Sequence, residues 1–228
     1  MTLEVDRLSV RLDSTEALRA VGLTASAGEL LGLIGPNGAG KTTLLNAIGG
    51  LVPLAAGRIA FQGRALTGLS PDQVARARVA RTFQSPRVFT RMTVAGNVRA
   101  GRSLDPGPGL RLVGLETRAH ELAAALTPGE ARRLELARAL AGEPALLLLD
   151  EPCGGLNAAE TEAMATLIER AHGAARITIL VEHRLGVIRR LCPRVVVLNL
   201  GEKIFDGPAD GLGSDPRVIE AYLGTSRQ

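Results

Sequence analysis

The chain has 228 residues, 46% of them hydrophobic, so it can bury the core of one domain, with or without a smaller lobe. No apolar run reaches the roughly eighteen residues of a membrane-spanning helix, and the first residues lack the features of a signal peptide. The formal net charge is +4 but only 2% of the residues are aromatic, which argues against a surface that stacks nucleic-acid bases. Cys153 and Cys192 form neither a disulfide framework nor a metal-ligand pattern. We therefore expect a cytoplasmic protein without a membrane span that binds no nucleic acid.

The first third of the chain is predicted to be rich in β-structure. Alternating or short apolar segments predict strands over residues 3–12, 17–25, 29–34 and 57–63. A helix is predicted to begin near Lys41 and to end near Gly49 and Gly50, and another to follow Ser70 as its cap, with Pro71 at its first position.

The second half alternates strands with helices. Helical spacing of leucine and alanine predicts helices over 130–141 and 158–173, and the apolar segment 145–150 predicts a strand buried on both faces of a parallel sheet. A strand over 177–183, a further helix and a hairpin over 195–207 complete the order. Before the first of these helices we expect a loop at 105–109 and a helical piece at 120–126. This alternation predicts an α/β fold with a mostly parallel sheet.

The segment GPNGAGKTT, residues 35–43, fits the phosphate-binding pattern G-x-x-x-x-G-K-[ST] between a predicted strand and a predicted helix. Its glycines let backbone N–H groups surround a phosphate, and the helix N-terminus adds a positive dipole. We expect Lys41 to reach the β- and γ-phosphates of a nucleoside triphosphate and the Thr42 hydroxyl to bind Mg²⁺. The predicted nucleotide-binding residues of this loop are Gly35, Pro36, Asn37, Gly38, Ala39, Gly40, Lys41, Thr42 and Thr43.

Asp150 and Glu151 end the apolar segment that begins at residue 145. In open α/β sheets, ligands bind at the carboxyl ends of the strands. Asp150 is therefore predicted to contact Mg²⁺, directly or through water. Glu151 is predicted to accept a proton from the water that attacks the γ-phosphate.

The motifs, in their order along the chain, resemble those of the ATP-binding cassette (ABC) ATPases over essentially its whole length. Gln84 in ARTFQ matches the Q-loop of that family, and His183 matches its switch histidine. Residues 126–140 resemble the signature motif with its helix, ALLLLDEP resembles the Walker B strand, and residues 155–157 match the D-loop.

The resemblance implies the ABC ATPase fold, which is an α/β P-loop fold with a mostly parallel core sheet, an N-terminal antiparallel β part and a helical lobe. The lobe is shortened in this chain. One domain is expected over residues 1–228, with its core at 1–85 and 145–228 and its helical lobe at 86–144.

The resemblance also implies ATP and Mg²⁺ as cofactors, and a sandwich in which each ATP lies between the P-loop of one cassette and the signature motif of another. Thr127 and Gly129 would contact the γ-phosphate of the ATP held by the partner cassette. Asn157 of the D-loop is placed with them as a nucleotide contact. The implied catalytic residues are Glu151, His183 and Gln84, and the implied Mg²⁺ contacts are Thr42, Gln84 and Asp150.

Residues 81–98 are similar to a segment of the importers of branched-chain amino acids (the LIV type), and the G-type ATPase subunit fits best. Glu182 before the histidine and the tail at 215–224 also match that branch. The implied partners are transmembrane permease subunits and a second ABC ATPase subunit, identical or different, at the cytoplasmic face of the plasma membrane. Arg87, Val88 and Phe89 are expected to contact the permeases. The substrate would be a branched-chain amino acid, a related small amino acid or an amide such as urea.

The chain departs from the family pattern at three places. Leu12 stands where most cassettes have an aromatic residue that stacks on adenine, and Arg11 beside it is the alternative base contact. The signature reads Thr-Pro-Gly-Glu, so Pro128 lacks an N–H and Glu130 adds a negative charge. The segment from 97 to 126 is shorter than the usual helical lobe.

These departures leave a second function open, a nucleotide-gated pairing subunit that hydrolyses ATP weakly beside a competent partner. A cassette protein that acts on DNA or ribosomes is disfavoured, because the chain holds neither two cassettes nor a long coiled-coil insertion. His120 and His172 match no motif and are expected to face solvent.

Overall fold

The computed structural model describes residues 1–101 and 105–223. The strands in this part of the chain are β1 Thr2–Leu12, β2 Thr15–Ser26, β3 Leu30–Ile34, β4 Ala56–Phe61, β5 Arg64–Ala65, β6 Val79–Arg81, β7 Leu146–Asp150, β8 Ile177–Val181, β9 Arg194–Asn199 and β10 Glu202–Pro208. The helices there are α1 Lys41–Ile48, α2 Pro71–Arg76, α3 Val94–Ala100, α4 Gly107–Val113, α5 Pro128–Leu140, α6 Ala158–His172, α7 Leu185–Leu191 and α8 Pro216–Leu223. Residues 102–104 of the predicted lobe and Gly224 of the predicted tail motif lie outside the described residues.

Two sheets form the core of the molecule, as the predicted fold class requires. The larger one has the strand order β10-β9-β3-β8-β7-β6, and its strands run parallel except at the β9–β10 hairpin. The smaller one is antiparallel, with the order β2-β1-β4-β5. The predicted α/β fold with an N-terminal antiparallel part and a mostly parallel core sheet is therefore confirmed.

The larger sheet is covered on both faces, which explains why its central strands are almost entirely apolar. Leu146 and Leu148 of β7 pack into one cluster with α1 and the smaller sheet. Leu147 and Leu149, which point the other way, pack into a second cluster with α6 and α7. Every residue of β3, β7 and β8 is buried, and a parallel strand with both faces covered needs such a continuous apolar sequence.

A third apolar cluster lies in the helical segment between β6 and β7. It joins α3, α4 and α5 through residues such as Val98, Leu110 and Leu134. This cluster falls within the predicted lobe, residues 86–144, and it shares no buried residue with the two clusters of the core.

Two local predictions in this segment were wrong. Residues 105–109 were expected to form a loop, but α4 begins at Gly107, with Pro106 and Pro108 at its start. Proline is compatible with the first turn of a helix because those N–H groups have no intrahelical partner. The predicted helical piece at 120–126 is reduced to a 3₁₀ turn at Ala123–Ala125. There the Ala123 N–H donates to the Met92 carbonyl at 2.9 Å, so a tertiary contact takes the place of helical hydrogen bonds.

Candidate nucleotide-binding site

The phosphate-binding loop joins β3, in the middle of the larger sheet, to α1. Gly35 has φ 149° and Gly40 has φ 101°, a region of backbone space that favours glycine. A Cβ atom at Gly35 would lie 2.1 Å from the Leu198 carbonyl oxygen, and one at Gly40 would lie 2.8 Å from the Ala17 carbonyl oxygen. Glycine is thus required at both positions for the loop to pass this close to its neighbours.

Lys41 lies in the first turn of α1 and is only 5% exposed. Its Nζ donates to the carbonyl oxygens of Gly35 and Pro36, each at 2.8 Å. Burial lowers the pKa of Lys41, while the nearby carboxylates of Glu151 and Asp150 raise it. The ammonium group therefore lies inside the loop that would surround a phosphate.

Asp150 ends β7, and its side chain meets α1. The Thr42 hydroxyl donates to Asp150 Oδ1 at 3.3 Å. Burial raises the pKa of Asp150, and the Arg81 guanidinium opposes that rise. A hydroxyl and a carboxylate side by side are the hard oxygen ligands that Mg²⁺ prefers, and Mg²⁺ usually takes its remaining ligands from phosphates and water. In the described part of the chain no three His, Cys, Asp or Glu side chains form a cluster for a metal.

Glu151, the next residue, connects the other two predicted catalytic side chains. Its Oε2 accepts from Gln84 Nε2 at 3.1 Å, and its Oε1 lies 2.7 Å from His183 Nε2. Glu151 has φ 49°, a left-handed conformation that is uncommon for a residue with a side chain and that occurs at functional sites. The structure therefore brings Gln84, Glu151 and His183 together from three loops.

Arg132 of α5 is a contact that sequence reasoning missed. Its Nη1 donates to the Glu151 carbonyl and its Nη2 to the Gln84 carbonyl, both at 3.0 Å. A Cβ atom at Gly154 would lie 3.1 Å from the same guanidinium. Arg132 thus links the helix of the signature motif to the backbone of two predicted catalytic residues. The sequence signal was a second arginine beside Arg133 in that helix, and it does not reveal which carbonyl groups the side chain reaches.

A cavity of about 910 Å³ contains most of the predicted nucleotide contacts. Its wall includes residues 37–43 of the phosphate-binding loop, but not Gly35 or Pro36, together with Gln84, Glu151 and His183. Leu12, Ala17 and Leu200 line it as well. Leu12 is 41% exposed. Arg11, the alternative base contact, is not among the residues that line this cavity.

Three predicted nucleotide contacts lie elsewhere. Thr127 and Gly129 line a separate groove between α5 and α6. Asn157 caps α6, where its Oδ1 accepts the Glu160 N–H at 2.9 Å. The structure does not bring these three residues to the phosphate-binding loop of the same chain.

The N-terminus of α5 shows how the unusual signature sequence is accommodated. Thr127 is the N-cap and forms a capping box with Glu130, while Pro128 occupies the first helical position. Proline there loses no intrahelical hydrogen bond. The Glu130 carboxylate accepts from Arg118 Nη1 at 2.6 Å. The Thr127 N–H and Arg118 hold the pKa of Glu130 below its usual range, so this carboxylate is charged at neutral pH.

The two remaining histidines differ from each other. His120 is exposed, but His172 is half-buried at the end of α6. His172 Nδ1 lies 2.9 Å from Thr178 Oγ1 and Nε2 lies 3.2 Å from the Gly28 carbonyl. The prediction that His172 faces solvent was wrong, because these two contacts join α6 to β8 and to the turn before β3.

Comparison with known families decides what kind of protein carries this site. The model of the family described as "ABC transporter" matches residues 18–154. The chain belongs to the ABC transporter family. No helix among the described residues of this ABC protein has the length and hydropathy that a bilayer crossing requires.

Curated proteins that are similar to this chain include ATP-binding proteins of amino-acid transport. The chain is 34% identical to the high-affinity branched-chain amino acid transport ATP-binding protein LivG of Escherichia coli K12, over 97% of each chain. It is 33% identical to BraF of Pseudomonas aeruginosa, which carries the same description, again over 97% of each chain. The methionine import ATP-binding protein MetN of Brucella abortus is 35% identical over 89% of this chain and 58% of its own length.

Solved structures of ABC cassettes share the whole fold. The ADP conformation of MJ1267, an ATP-binding cassette of an ABC transporter, aligns with a TM-score of 0.88 and 25% identity, over 98% of this chain and 99% of that one. A nucleotide-free ATP-binding cassette also aligns with a TM-score of 0.88 and 25% identity, over 97% of this chain and 99% of that one.

Proposed function

We propose that this chain is the ATP-hydrolysing subunit of an importer for branched-chain amino acids or related small amino acids and amides. One observation carries the proposal. The Glu151 carboxylate lies between Gln84 Nε2 and His183 Nε2, and all three side chains line the same cavity as the phosphate-binding loop. The similarity to LivG and BraF along nearly the whole chain supports the class of substrate.

Each group of the site has a proposed role in ATP hydrolysis. N–H groups of residues 35–43 surround the phosphates, and Lys41 exchanges the carbonyl oxygens of Gly35 and Pro36 for the β- and γ-phosphates. Thr42 and Asp150 would hold Mg²⁺, which neutralises phosphate charge when it is bound. Glu151 accepts a proton from the attacking water, and His183 and Gln84 hold its carboxylate in place.

Two cassettes are proposed to act together. Thr127 and Gly129 lie outside the cavity of their own chain, so the N-terminus of α5 is available to the ATP of a second cassette. The Gly129 N–H, in the first turn of α5, and the helix dipole favour an anion there. The second cassette is either a copy of this chain or a different ABC ATPase subunit.

Transmembrane permease subunits are proposed to bind in a groove of about 360 Å³ between the core and the lobe. The groove is lined by apolar residues and by Arg78, Arg81 and Arg138, and no carboxylate is among its described lining residues. Phe89 at its rim is 51% exposed. A cytoplasmic permease helix with apolar and acidic side chains would complement this surface, and docking would place the chain at the cytoplasmic face of the plasma membrane.

The experiment is co-expression of the chain with candidate permeases, followed by reconstitution in vesicles. Leucine uptake and phosphate release should both require MgATP, and unlabelled isoleucine should compete with leucine more strongly than urea does. A complex that hydrolyses ATP without transporting any amino acid or amide would contradict the importer. Stronger competition by urea than by isoleucine would mean that the preferred substrates are amides and not branched-chain amino acids.

A weakly hydrolysing pairing subunit is the second candidate, and Glu130 favours it. This charged carboxylate stands in the first turn of α5, beside the position proposed for the γ-phosphate of the partner's ATP, where it repels negative charge. Arg118 offsets part of that charge. If this candidate holds, Glu130→Gln should raise the turnover of the complex several-fold, whereas an efficient ATPase should gain little.

A further inference from the structure

A second carboxylate lies behind the Glu151–His183 pair, and ATP hydrolysis as described above does not use it. Glu182 directly follows β8 and is only 3% exposed. Its Oε1 accepts the backbone N–H of Cys153 at 2.7 Å, and its Oε2 accepts the backbone N–H of His183 at 3.1 Å. One side chain therefore bridges the turn after β7 and the loop after β8.

The Cys153 thiol adds a third contact to the same carboxylate. Burial raises the pKa of Cys153, and the charge of Glu182 and a hydrogen bond to it raise that pKa further. The thiol is therefore protonated and can donate its S–H to Glu182. Arg184 and Arg132 are the cations near this cluster, and both oppose the rise in the pKa of Cys153. These hydrogen-bond donors and nearby cations offset the free-energy cost of burying the Glu182 carboxylate.

The two segments that Glu182 bridges carry the two side chains that must meet. Glu151 lies two residues before Cys153, and its Oε1 is 2.7 Å from His183 Nε2. The backbone of Glu151 is held by the Val181 carbonyl, which accepts its N–H at 3.0 Å, and by the Gly154 N–H, which donates to its carbonyl at 3.0 Å. A displacement of about 1 Å in a catalytic group can cost about 100-fold in rate. The alignment of these segments therefore matters for catalysis as well as for stability.

We propose that Glu182 is a positioning residue for ATP hydrolysis, which aligns the Glu151 turn with the His183 loop by accepting the N–H groups of Cys153 and His183. The proposal rests on the hydrolytic function proposed above. Glu182 itself does not line the nucleotide cavity, so it acts through Glu151 and His183. Loss of its acceptor atoms should lower the rate of hydrolysis more than the affinity for ATP.

The test compares Glu182→Gln and Glu182→Leu with Thr178→Val as a matched control. Thr178 is a buried residue like Glu182 and lies on β8, but its hydroxyl contacts His172 and it does not line the nucleotide cavity. In the complex with the permeases, kcat should fall about 10-fold in the glutamine variant, which keeps one acceptor, and about 100-fold in the leucine variant. The Kd for MgATP should stay within about threefold of wild type in both. The control should lower the melting temperature and keep kcat within about twofold of wild type.

A second measurement is independent of turnover. Amide hydrogen exchange at Cys153 and His183 should be faster in the Glu182 variants, because their N–H groups lose an acceptor, and unchanged in the Thr178 control. Because part of its effect passes through His183, Glu182→Gln should lower kcat by a smaller factor in a His183→Ala background than in the wild type.

Wild-type kcat in the Glu182 variants, an equal loss in the control, or unchanged exchange at both amides would overturn the proposal. A wild-type complex that hydrolyses no ATP would instead remove the proposed function, and the positioning role with it.

Discussion

Arg81 and Asp150 form a buried ion pair at the edge of the candidate site, with Arg81 Nη2 3.3 Å from Asp150 Oδ2 and the two side chains 10% and 1% exposed. The same guanidinium donates to Asn46 Oδ1 of α1 at 2.7 Å and lies 4.5 Å from the centre of the Phe83 ring. One arginine therefore ties β6 and α1 to the carboxylate proposed to contact Mg²⁺.

Replacing this arginine should destabilise the protein. Arg81→Met leaves the Asp150 carboxylate buried without its cation, and removal of one partner from a buried pair costs about 3–5 kcal/mol in the free energy of unfolding. Urea unfolding measures the loss. Arg76→Met is the control, because its ion pair with Asp72 lies on the exposed surface and should contribute little. Equal losses in the two variants would show that the buried ion pair contributes no more to the free energy of unfolding than the exposed one.

Lys41→Ala is expected to abolish detectable MgATP binding. The substitution removes the main positive contact of the β- and γ-phosphates, and also the two hydrogen bonds from Nζ to the carbonyl groups of the phosphate-binding loop. Calorimetry with MgATP is the measurement. Lys203→Ala, at the one other lysine of the chain, should bind as wild type does. Unchanged affinity in the Lys41 variant would refute the assignment of the site.

Glu151→Gln should retain MgATP binding but lower turnover by at least about 100-fold, since the amide cannot accept the proton of the attacking water. Binding by calorimetry and phosphate release, both on the permease complex, separate the two effects. Glu169→Gln, at an exposed carboxylate of α6, serves as the control for loss of charge. Near wild-type hydrolysis in the Glu151 variant would mean that another group activates the water.

Leu12→Tyr should tighten ATP binding, because an aromatic ring on the cavity wall can stack on adenine, a contact worth about 1–3 kcal/mol with bases in nucleic-acid complexes. Leu51→Tyr is a matched control, since Leu51 is also 41% exposed but lines the groove proposed for the permeases. The comparison uses the Kd for MgATP. If Leu12→Tyr brings no gain, the base lies elsewhere or already rests on Arg11.

Phe89→Ala should weaken recovery of the chain with its permeases and leave ATP binding to the free subunit intact. Phe89 is exposed at the rim of the groove, with the Arg138 guanidinium 5.0 Å from its ring centre, so its ring is available to an apolar partner. Affinity purification through a tagged permease gives the readout. Ile219→Ala, at an exposed apolar residue of α8, is the control. Equal recovery of wild type and the Phe89 variant would exclude this loop from the interface.

The sequence by itself determined the features that depend on local chain chemistry. The phosphate-binding loop was predicted because its glycines, its lysine and the flanking apolar strand are consecutive, and local backbone geometry follows from such a run. The apolar run of β7 indicated a strand buried on both faces of a parallel sheet, because such a strand needs apolar side chains in both directions. The order of the motifs then identified the fold.

Only the tertiary structure decided which side chains touch across the sheet. Gln84, Glu151 and His183 are separated by dozens of residues, and they meet because β6, β7 and β8 are neighbours whose carboxyl ends share one edge of the sheet. The contacts of Arg81, Arg132 and Glu182 depend on the same register and on how the lobe packs against the core, and no local pattern encodes either. The start of α4 was mispredicted because proline is compatible with the first turn of a helix as well as with a loop. The half-buried His172 was mispredicted because its contacts with Thr178 and the Gly28 carbonyl form only when α6 packs against the sheet.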